Sequence, residues 1–190
     1  MKNTFDTRKL YFGFPVFFLG YKDEIHGYNI TTSSSVYSLG RMVVIGMRTK
    51  SNSMQHILKT GEFTINVPQK DLLEEVEVAG FNSKKDKFDL TKLVYSLAQT
   101  VDAPLVDACP VSIECKVVDK MEFGALTNVV AEVTRRVVDE QFVDADGYFR
   151  NDQFNPVLYI GDGHERLYRS LDDESVKMGS LIENWRQKNM

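Results

Sequence analysis

The chain has 190 residues, of which 43% are hydrophobic and 26% are charged, and its net charge is -4. This length supports one sizeable hydrophobic core, so we expect a single domain over residues 1–190 with the composition of a folded globular protein. The pI of about 5.4 gives no reason to expect nucleic acid or an anionic lipid surface as a partner. We expect no leader segment and no membrane-spanning run, which makes the cytoplasm the expected location.

Strand patterns dominate the first third of the chain. The apolar and aromatic residues 11–21 lead through the polar letters KDEIHG into YNITT, which predicts a hairpin. The short apolar run at 41–47 predicts a further strand, and residues 61–67 alternate apolar with polar side chains, as a half-buried strand does.

Two short helices are expected between the strands. The letters SNSMQHILKTG place Ser51 or Ser53 as an N-cap, apolar residues at helical spacing, and Gly61 as a stop. The letters QKDLLEEVEVAG repeat this plan, with Asp71 as a possible cap and Gly80 as the terminator.

A second strand pair is predicted further along the chain. Residues 111–117 alternate apolar with polar side chains, so that Ser112, Glu114 and Lys116 are expected on the outer face. A turn near Gly124 leads into NVVAEVTRRVV, which supplies the antiparallel partner.

The last part of the chain predicts one more strand and a helical tail. Residues 156–161, PVLYIG, would complete the sheet, and the tail from about 165 is compatible with a helix, although Gly179 weakens it. Several short strands with two small helices outside them predict a mainly β fold, a β-rich α+β closed or split barrel rather than a doubly wound sheet.

Cysteine and histidine give no metal-binding or redox pattern. Cys109 and Cys115 match neither a CxxC pair nor a zinc-ligand spacing, so we expect two buried or half-buried free thiols. His26, His56 and His164 are scattered along the chain, and we expect no structural metal.

Five adjacent hydroxyl residues occupy positions 31–35, with Asn29 just upstream. One interpretation is a strand end whose hydroxyls bond to nearby backbone groups. The other is an edge that offers several donors and acceptors to a polar ligand. Because side chains of an extended segment alternate between faces, the odd-numbered and even-numbered hydroxyls are expected to serve different partners.

The segment RTKSNS, residues 48–53, combines cations, hydroxyls and a predicted helix start. Arg48 and Lys50, followed by Ser51 and Ser53 at the free N–H groups of a helix, suit a phosphate group. A solvated connection between strand and helix explains the same residues without a ligand.

At this point the sequence resembles a known family. The letters FPVFFLGYKDEIHGYNITTSSSVYSLGRMVVIGM, followed by NSMQHILKTGEFTINVP, are similar to the flavin reductase-like, FMN-binding split-barrel family. The stretches AGFNSKKDKFD, DAPLVDACPVSIECKVV and NVVAEVTRRVVDE also match, in the right order, over roughly the first 160 residues. Many members carry a proline pair where this chain has Leu39-Gly40-Arg41.

The resemblance implies a Greek-key split barrel that forms a homodimer and holds FMN at the barrel edge near the subunit interface. By position in the family's motifs, one group of residues lines the flavin ring and ribityl chain, a second faces the phosphate, and a third belongs to an Asp-Lys-Phe loop near the flavin. These are, respectively, Asn29, Thr31, Thr32, Ser33 and Ser35; Arg48, Lys50, Ser51 and Ser53; and Lys87 and Phe88, which follow Asp86.

The resemblance also implies an activity. We expect an oxidoreductase that passes a hydride from NADH or NADPH to FMN and then electrons to an acceptor, which can be a partner protein. Hydride transfer needs no acid or base, so we name no catalytic residue, and no GxGxxG fingerprint marks a separate nicotinamide site. The alternatives are an FMN-binding electron carrier without a nicotinamide site and a barrel without flavin that serves as an interaction module.

Overall fold

Strands contain more residues than helices in the computed structural model, which describes residues 2–172 and 174–189. The strands are β1 (Leu10–Pro15), β2 (Phe17–Asp23), β3 (Gly27–Ser33), β4 (Val36–Leu39), β5 (Met42–Arg48), β6 (Glu62–Val67), β7 (Tyr95–Leu97), β8 (Pro104–Val106), β9 (Val111–Phe123), β10 (Leu126–Val138), β11 (Leu158–Asp162) and β12 (Arg166–Arg169). The helices are α1 (Asn52–Thr60), α2 (Leu73–Phe81), α3 (Lys87–Thr91) and α4 (Ser180–Asn189). None of the helices within the described ranges is long and apolar enough to cross a membrane.

The main sheet has seven antiparallel strands in the order β3-β2-β6-β9-β10-β5-β4. Its two edge strands, β3 and β4, are consecutive in the chain and are separated only by Ser34 and Ser35. Two residues span a short distance, so the end of β3 and the start of β4 lie close together although the two strands do not pair. The sheet is therefore a barrel that is split between β3 and β4, which confirms the predicted fold class.

Two hydrophobic clusters lie on opposite sides of the sheet. Strand β2 contributes Phe17 and Leu19 to the cluster inside the barrel, where Phe63 joins them, and Phe18 to the cluster beneath α2. Because β2 is covered on both faces, its sequence reads as a continuous apolar run rather than an alternating one.

Helix α1 begins and ends at the residues that the sequence predicts. Ser51 is its N-cap and accepts a hydrogen bond from the N–H of Met54, while Gly61 ends the helix in the left-handed conformation at φ 72°. Buried Met54 and Ile57 join the inner cluster and hold the helix against the barrel.

Helix α2 departs from the prediction at both ends. Asp71 does not cap it, because a 3-10 turn over Lys70–Leu72 comes first and Leu72 occupies the cap position. Gly80 lies inside the helix, which ends only at Phe81. A Cβ at Gly80 would lie 3.3 Å from the Cβ of Thr32, so the glycine permits a close approach of α2 to β3 instead of ending the helix.

The face of β9 that we expected to be polar and exposed is buried over two of its three residues. Ser112 is 4% exposed and Glu114 is fully buried, whereas Lys116 faces solvent. The segment around Thr100 covers Glu114: the backbone N–H and the hydroxyl of Thr100 donate to its carboxylate at 2.7 and 2.6 Å. Arg135 of β10 completes the site with an ion pair at 2.9 Å.

The C-terminal region also differs from the prediction. Strand β11 does not complete the barrel but joins β1 and β12 in a separate three-stranded sheet. The residues from 166 are strand rather than helix, because Asp162 accepts hydrogen bonds from the N–H groups of His164 and Glu165 and turns the chain back onto β11. A helix, α4, begins only after Gly179.

We expect Glu114→Gln to lower the free energy of unfolding at pH 7 by about 1–3 kcal/mol, because the buried carboxylate accepts bonds from charged and neutral donors. Burial alone would raise the pKa of Glu114, but the donors from Thr100 and Arg135 outweigh it and hold the pKa below the ordinary 4.5. The stability that depends on ionised Glu114 is thus complete above pH 4.5 and is lost as the pH falls through the lowered pKa.

Urea unfolding of both proteins between pH 7 and pH 3 checks this expectation. The difference in the free energy of unfolding between the wild type and Glu114→Gln should stay constant down to about pH 4.5 and then shrink. Glu122→Gln is the matched control, since Glu122 forms an exposed pair with Lys120 and should leave stability unchanged at every pH. A difference for Glu114→Gln that is as large at pH 3 as at pH 7 would contradict the assignment.

Candidate functional site

The run of hydroxyl residues lies along the split of the barrel. Thr31 to Ser33 form the end of the edge strand β3, and Ser34 and Ser35 cross to β4. The carbonyl of Ser35 accepts a hydrogen bond from the N–H of Gly46 at 3.1 Å, which fixes the crossing against β5. These residues therefore line an open edge of the sheet rather than a buried strand end.

The hydroxyls on the two faces of β3 have different surroundings. Thr31 and Ser33 pair with Leu19 and Phe17, whose side chains enter the inner cluster, so these two hydroxyls lie on the barrel side. Thr32 points the other way, and its hydroxyl donates to the carbonyl of Val76 in α2 at 2.6 Å. The structure thus uses the hydroxyl of Thr32 to hold a helix, and which set of hydroxyls serves a ligand stays a prediction.

A cleft of about 600 Å³ opens beside the split, and we call it the cation cleft. It brings together two predicted site residues, Ser35 and Arg48, with residues that the sequence did not point out. The full set is Arg8, Lys9, Tyr11, Ser35, Gly46, Met47, Arg48, Met121, Phe123, Leu126 and Asn128. Three cations at an apolar and aromatic wall suit an anion that is attached to a planar ring system.

Strand register builds one wall of the cation cleft. Strand β10 pairs with β5 so that Leu126 lies opposite Arg48 and Asn128 opposite Gly46. A Cβ at Gly46 would lie 2.6 Å from Oδ1 of Asn128, so only glycine lets this amide lie across the strand. The amide and the hydroxyl of Ser35 are the polar groups that face the apolar wall.

The other predicted phosphate residues lie around the start of α1. Lys50 is exposed but does not line the cation cleft, and Ser51 caps the helix. Ser53 is 4% exposed, and its hydroxyl lies 3.8 Å from the sulfur of Met47. Ser53 is therefore buried beside Met47, and its expected contact with a phosphate stays a prediction.

Asn29 belongs to a buried polar cluster rather than to an open ligand surface. Its amide nitrogen donates to Asp23 at 3.2 Å and to the carbonyl of Lys85 at 2.9 Å, and its oxygen accepts from the N–H groups of Ile30 and Lys87. Asn29 is fully buried and all of these partners are protein groups, so its expected place beside a flavin stays a prediction.

Asp23 is the centre of this cluster. Its carboxylate accepts from the N–H groups of Ile25 and His26 and from the amide of Asn52, and Nε2 of His56 lies 3.8 Å away. Burial would raise the pKa of Asp23, but these donors and Asn29 together lower it, so the group is ionised at neutral pH. Beside it, burial raises the pKa of Tyr21 to about 12.

The Asp-Lys-Phe segment is also buried. Lys87 is 2% exposed; burial lowers its pKa, and the attraction of Asp23 and Asp86 partly offsets that effect. Phe88 is 9% exposed and packs in the cluster beneath α2, with its ring 4.3 Å from that of Tyr95. Both side chains face the protein interior, and the expected position of this loop near a flavin stays a prediction.

A second, smaller cleft of about 270 Å³ lies against the hydroxyl run, and we call it the tyrosine cleft. Its lining residues are Tyr11, Val16, Thr32, Ser33, Ser34, Val76, Gly80, Phe81, Tyr159, Arg166 and Tyr168. Tyr11 lines both clefts. Burial is the main cause of a raised pKa at Tyr168.

The sequence offered weak signals for the residues that it missed. Arg8 and Lys9 are adjacent cations before an aromatic strand, but only the sheet that contains β1 brings them to the split. Cys109 and Cys115 are buried free thiols, as predicted, and burial raises the pKa of Cys115 to about 12. Within residues 2–172 and 174–189, no group of three or more His, Cys, Asp or Glu side chains is arranged to hold a metal ion.

Comparison with known proteins agrees with this geometry. Residues 10–166 match the model of the flavin reductase like domain. Flavoredoxin of Desulfovibrio vulgaris (Miyazaki F) superposes with a TM-score of 0.85 at 25% identity, covering 95% of this chain and 98% of that one. Flavoredoxin from Methanosarcina acetivorans superposes with a TM-score of 0.86 at 20% identity, covering 97% and 99%.

Sequence comparison alone finds a similar relative. The chain is 23% identical over 169 residues to the uncharacterized protein YdfE of Bacillus subtilis, covering 79% of this chain and 82% of that protein. The domain match extends over well more than half of the chain, and the split barrel agrees with it. The protein therefore belongs to the flavin reductase-like family.

Proposed function

We propose that this protein binds FMN in the cation cleft and acts as an oxidoreductase of the flavin reductase type. The main support for the proposal is that Arg8, Lys9 and Arg48 line the same cleft as an apolar wall at the split of the barrel. A dianionic phosphate on a flexible chain and a planar ring with one polar edge match this set of groups. The volume of about 600 Å³ is in the range of sites for ligands of this size.

In this proposal each group has a binding or orienting role. Arg48 holds the phosphate, with Lys50 and Ser51 close in the chain, and Ser35 and Asn128 donate to or accept from the polar edge of the ring. Thr31 lines neither cleft and Ser33 lines the tyrosine cleft, so neither hydroxyl has a direct contact in this proposal. Thr32 and Asn29 act indirectly, since one holds α2 and the other fixes α3 against β3.

Bound FMN would supply the redox chemistry, which is the uptake of a hydride and the transfer of electrons to an acceptor. The residues of this chain orient it: Met47, Phe123 and Leu126 shield the ring from water, and the cations balance the phosphate charge. We propose NADH or NADPH as the hydride donor, which must approach the exposed face of the ring.

A second candidate function is that of an FMN-binding electron carrier without a nicotinamide site. The superposition with a flavoredoxin at 25% identity favours this alternative. In that case electrons would come from, or go to, a partner protein at the open side of the cation cleft.

We further propose a homodimer in the cytoplasm. Large apolar side chains are exposed around the cation cleft: Phe123 is 77% exposed, Phe12 76% and Met121 60%. A second copy of the chain would cover them and shield the ring from water. The two free, buried cysteines are compatible with a reducing compartment.

Arg48→Ala should weaken the binding of FMN about tenfold or more and leave the binding of riboflavin almost unchanged, because only FMN carries the phosphate. Lys50→Ala is the matched control: it removes the same charge two residues away but outside the lining of the cleft, so its effect should be small. Titration followed by flavin fluorescence measures both. Equal losses for FMN and riboflavin in Arg48→Ala would reject the proposed phosphate position.

Steady-state oxidation of NADH or NADPH with added FMN distinguishes the two candidate functions. A flavin reductase should oxidise one of them in the presence of FMN, and Arg48→Ala should require more FMN for the same rate. Bound FMN that neither nucleotide reduces under anaerobic conditions would instead identify the electron carrier.

Light scattering at micromolar concentration should show a dimer. Phe123→Ser should shift the protein towards a monomer and should also weaken FMN binding, since the same side chain lines the cation cleft. Phe5→Ser is the control, because Phe5 is 62% exposed but lies outside both clefts. A monomeric wild-type protein with FMN bound would count against the proposed interface.

A further inference from the structure

The tyrosine cleft has a wall of three aromatic rings. Tyr11, Tyr159 and Tyr168 come from the neighbouring strands β1, β11 and β12, and Tyr159 pairs directly with Tyr168. Ring centroids lie 4.8 Å apart between Tyr11 and Tyr159 and 5.9 Å apart between Tyr159 and Tyr168. The rings are tilted, by 58° between Tyr11 and Tyr159 and by 41° between Tyr159 and Tyr168, so they form an angled wall against which a single aromatic ring can pack edge-to-face or offset.

Helix α2 forms the opposite wall and leaves room for such a ligand. Gly80 contributes no side chain to this wall. The next residue, Phe81, is 79% exposed at the rim of the cleft. A large exposed ring beside an aromatic wall is a surface that a bound ligand can cover.

The polar groups of the cleft favour an anion. Arg166 lines it, and Ser33 and Ser34 add two hydroxyl donors, whereas no carboxylate is among the described lining residues. Glu77 lies outside the lining and acts on Tyr168 from the side of α2. A cation with hydroxyl donors binds a carboxylate through charge-assisted hydrogen bonds.

Size limits the ligand further. The cleft has about 270 Å³, below the range of sites that hold drug-sized molecules, so it suits one ring with one small substituent rather than a dinucleotide. Tyr11 belongs to both clefts, so the ligand would lie beside the proposed flavin position.

We propose that the tyrosine cleft binds a small aromatic carboxylate, with the ring against Tyr159 and Tyr168 and the carboxylate on Arg166. Only its position next to the flavin rests on the proposed function. The binding itself is a property of this cleft and can be measured with or without FMN.

The test uses benzoate as the probe and NMR chemical shifts of the full chain, before and after addition of FMN. We expect saturable binding at millimolar concentration or better that shifts the amides of Ser33, Ser34 and Gly80. Cyclohexanecarboxylate, which keeps the charge but not the flat ring, should bind several-fold more weakly. Arg166→Gln should weaken the binding of benzoate about tenfold, which is the usual effect of losing one charge-assisted hydrogen bond.

Arg169→Gln is the matched control, because Arg169 lies on the same strand but is not part of the cleft lining, and it should bind benzoate as the wild type does. Equal affinity in Arg166→Gln and wild type, or no saturable shift, would overturn the proposal. The proposal would also be overturned if nicotinamide mononucleotide shifted the same amides and displaced benzoate from the cleft. Failure of FMN to bind while benzoate still binds would reject the proposed function and leave this site intact.

Discussion

The buried carboxylate of Asp23 connects the β2–β3 turn, the start of β3 and the start of α1. It closes the β2–β3 turn through the N–H groups of Ile25 and His26, and it accepts from Asn29 on β3 and Asn52 at the start of α1. Its charge also acts on the buried ammonium of Lys87. Removing a single partner would leave an uncompensated charge in the interior, so the segments keep their positions together.

The split of the barrel then decides which groups remain free. Strands β3 and β4 meet at adjoining ends without pairing, and the carbonyl of Val76 in α2 accepts the hydrogen bond of the Thr32 hydroxyl. The remaining polar groups face two clefts that share Tyr11, one rich in cations and one walled by tyrosines. Both clefts lie where the two edge strands of the sheet are left unpaired.

Local sequence signals predicted those elements whose ends depend on neighbouring residues. Ser51 and Gly61 bound α1 as expected because a cap bond and a left-handed residue are made within one turn. The same reasoning was wrong for Gly80, where a long-range approach to Thr32 requires the glycine, and for Glu114, which Thr100 covers from a distant loop. Contacts between segments far apart in sequence leave no periodic signal.

The sequence by itself determined the β-rich class, the position of α1 and the concentration of hydroxyls and cations at residues 29–53, because these depend on alternation, capping and composition. The ordered motifs also indicated the family. Only the tertiary structure decided which of those side chains are free: burial removed Asn29, Ser53, Lys87 and Phe88 from the surface, and strand register brought Asn128 across Gly46. Accessibility depends on what packs against a side chain, and that packing comes from residues distant in the chain.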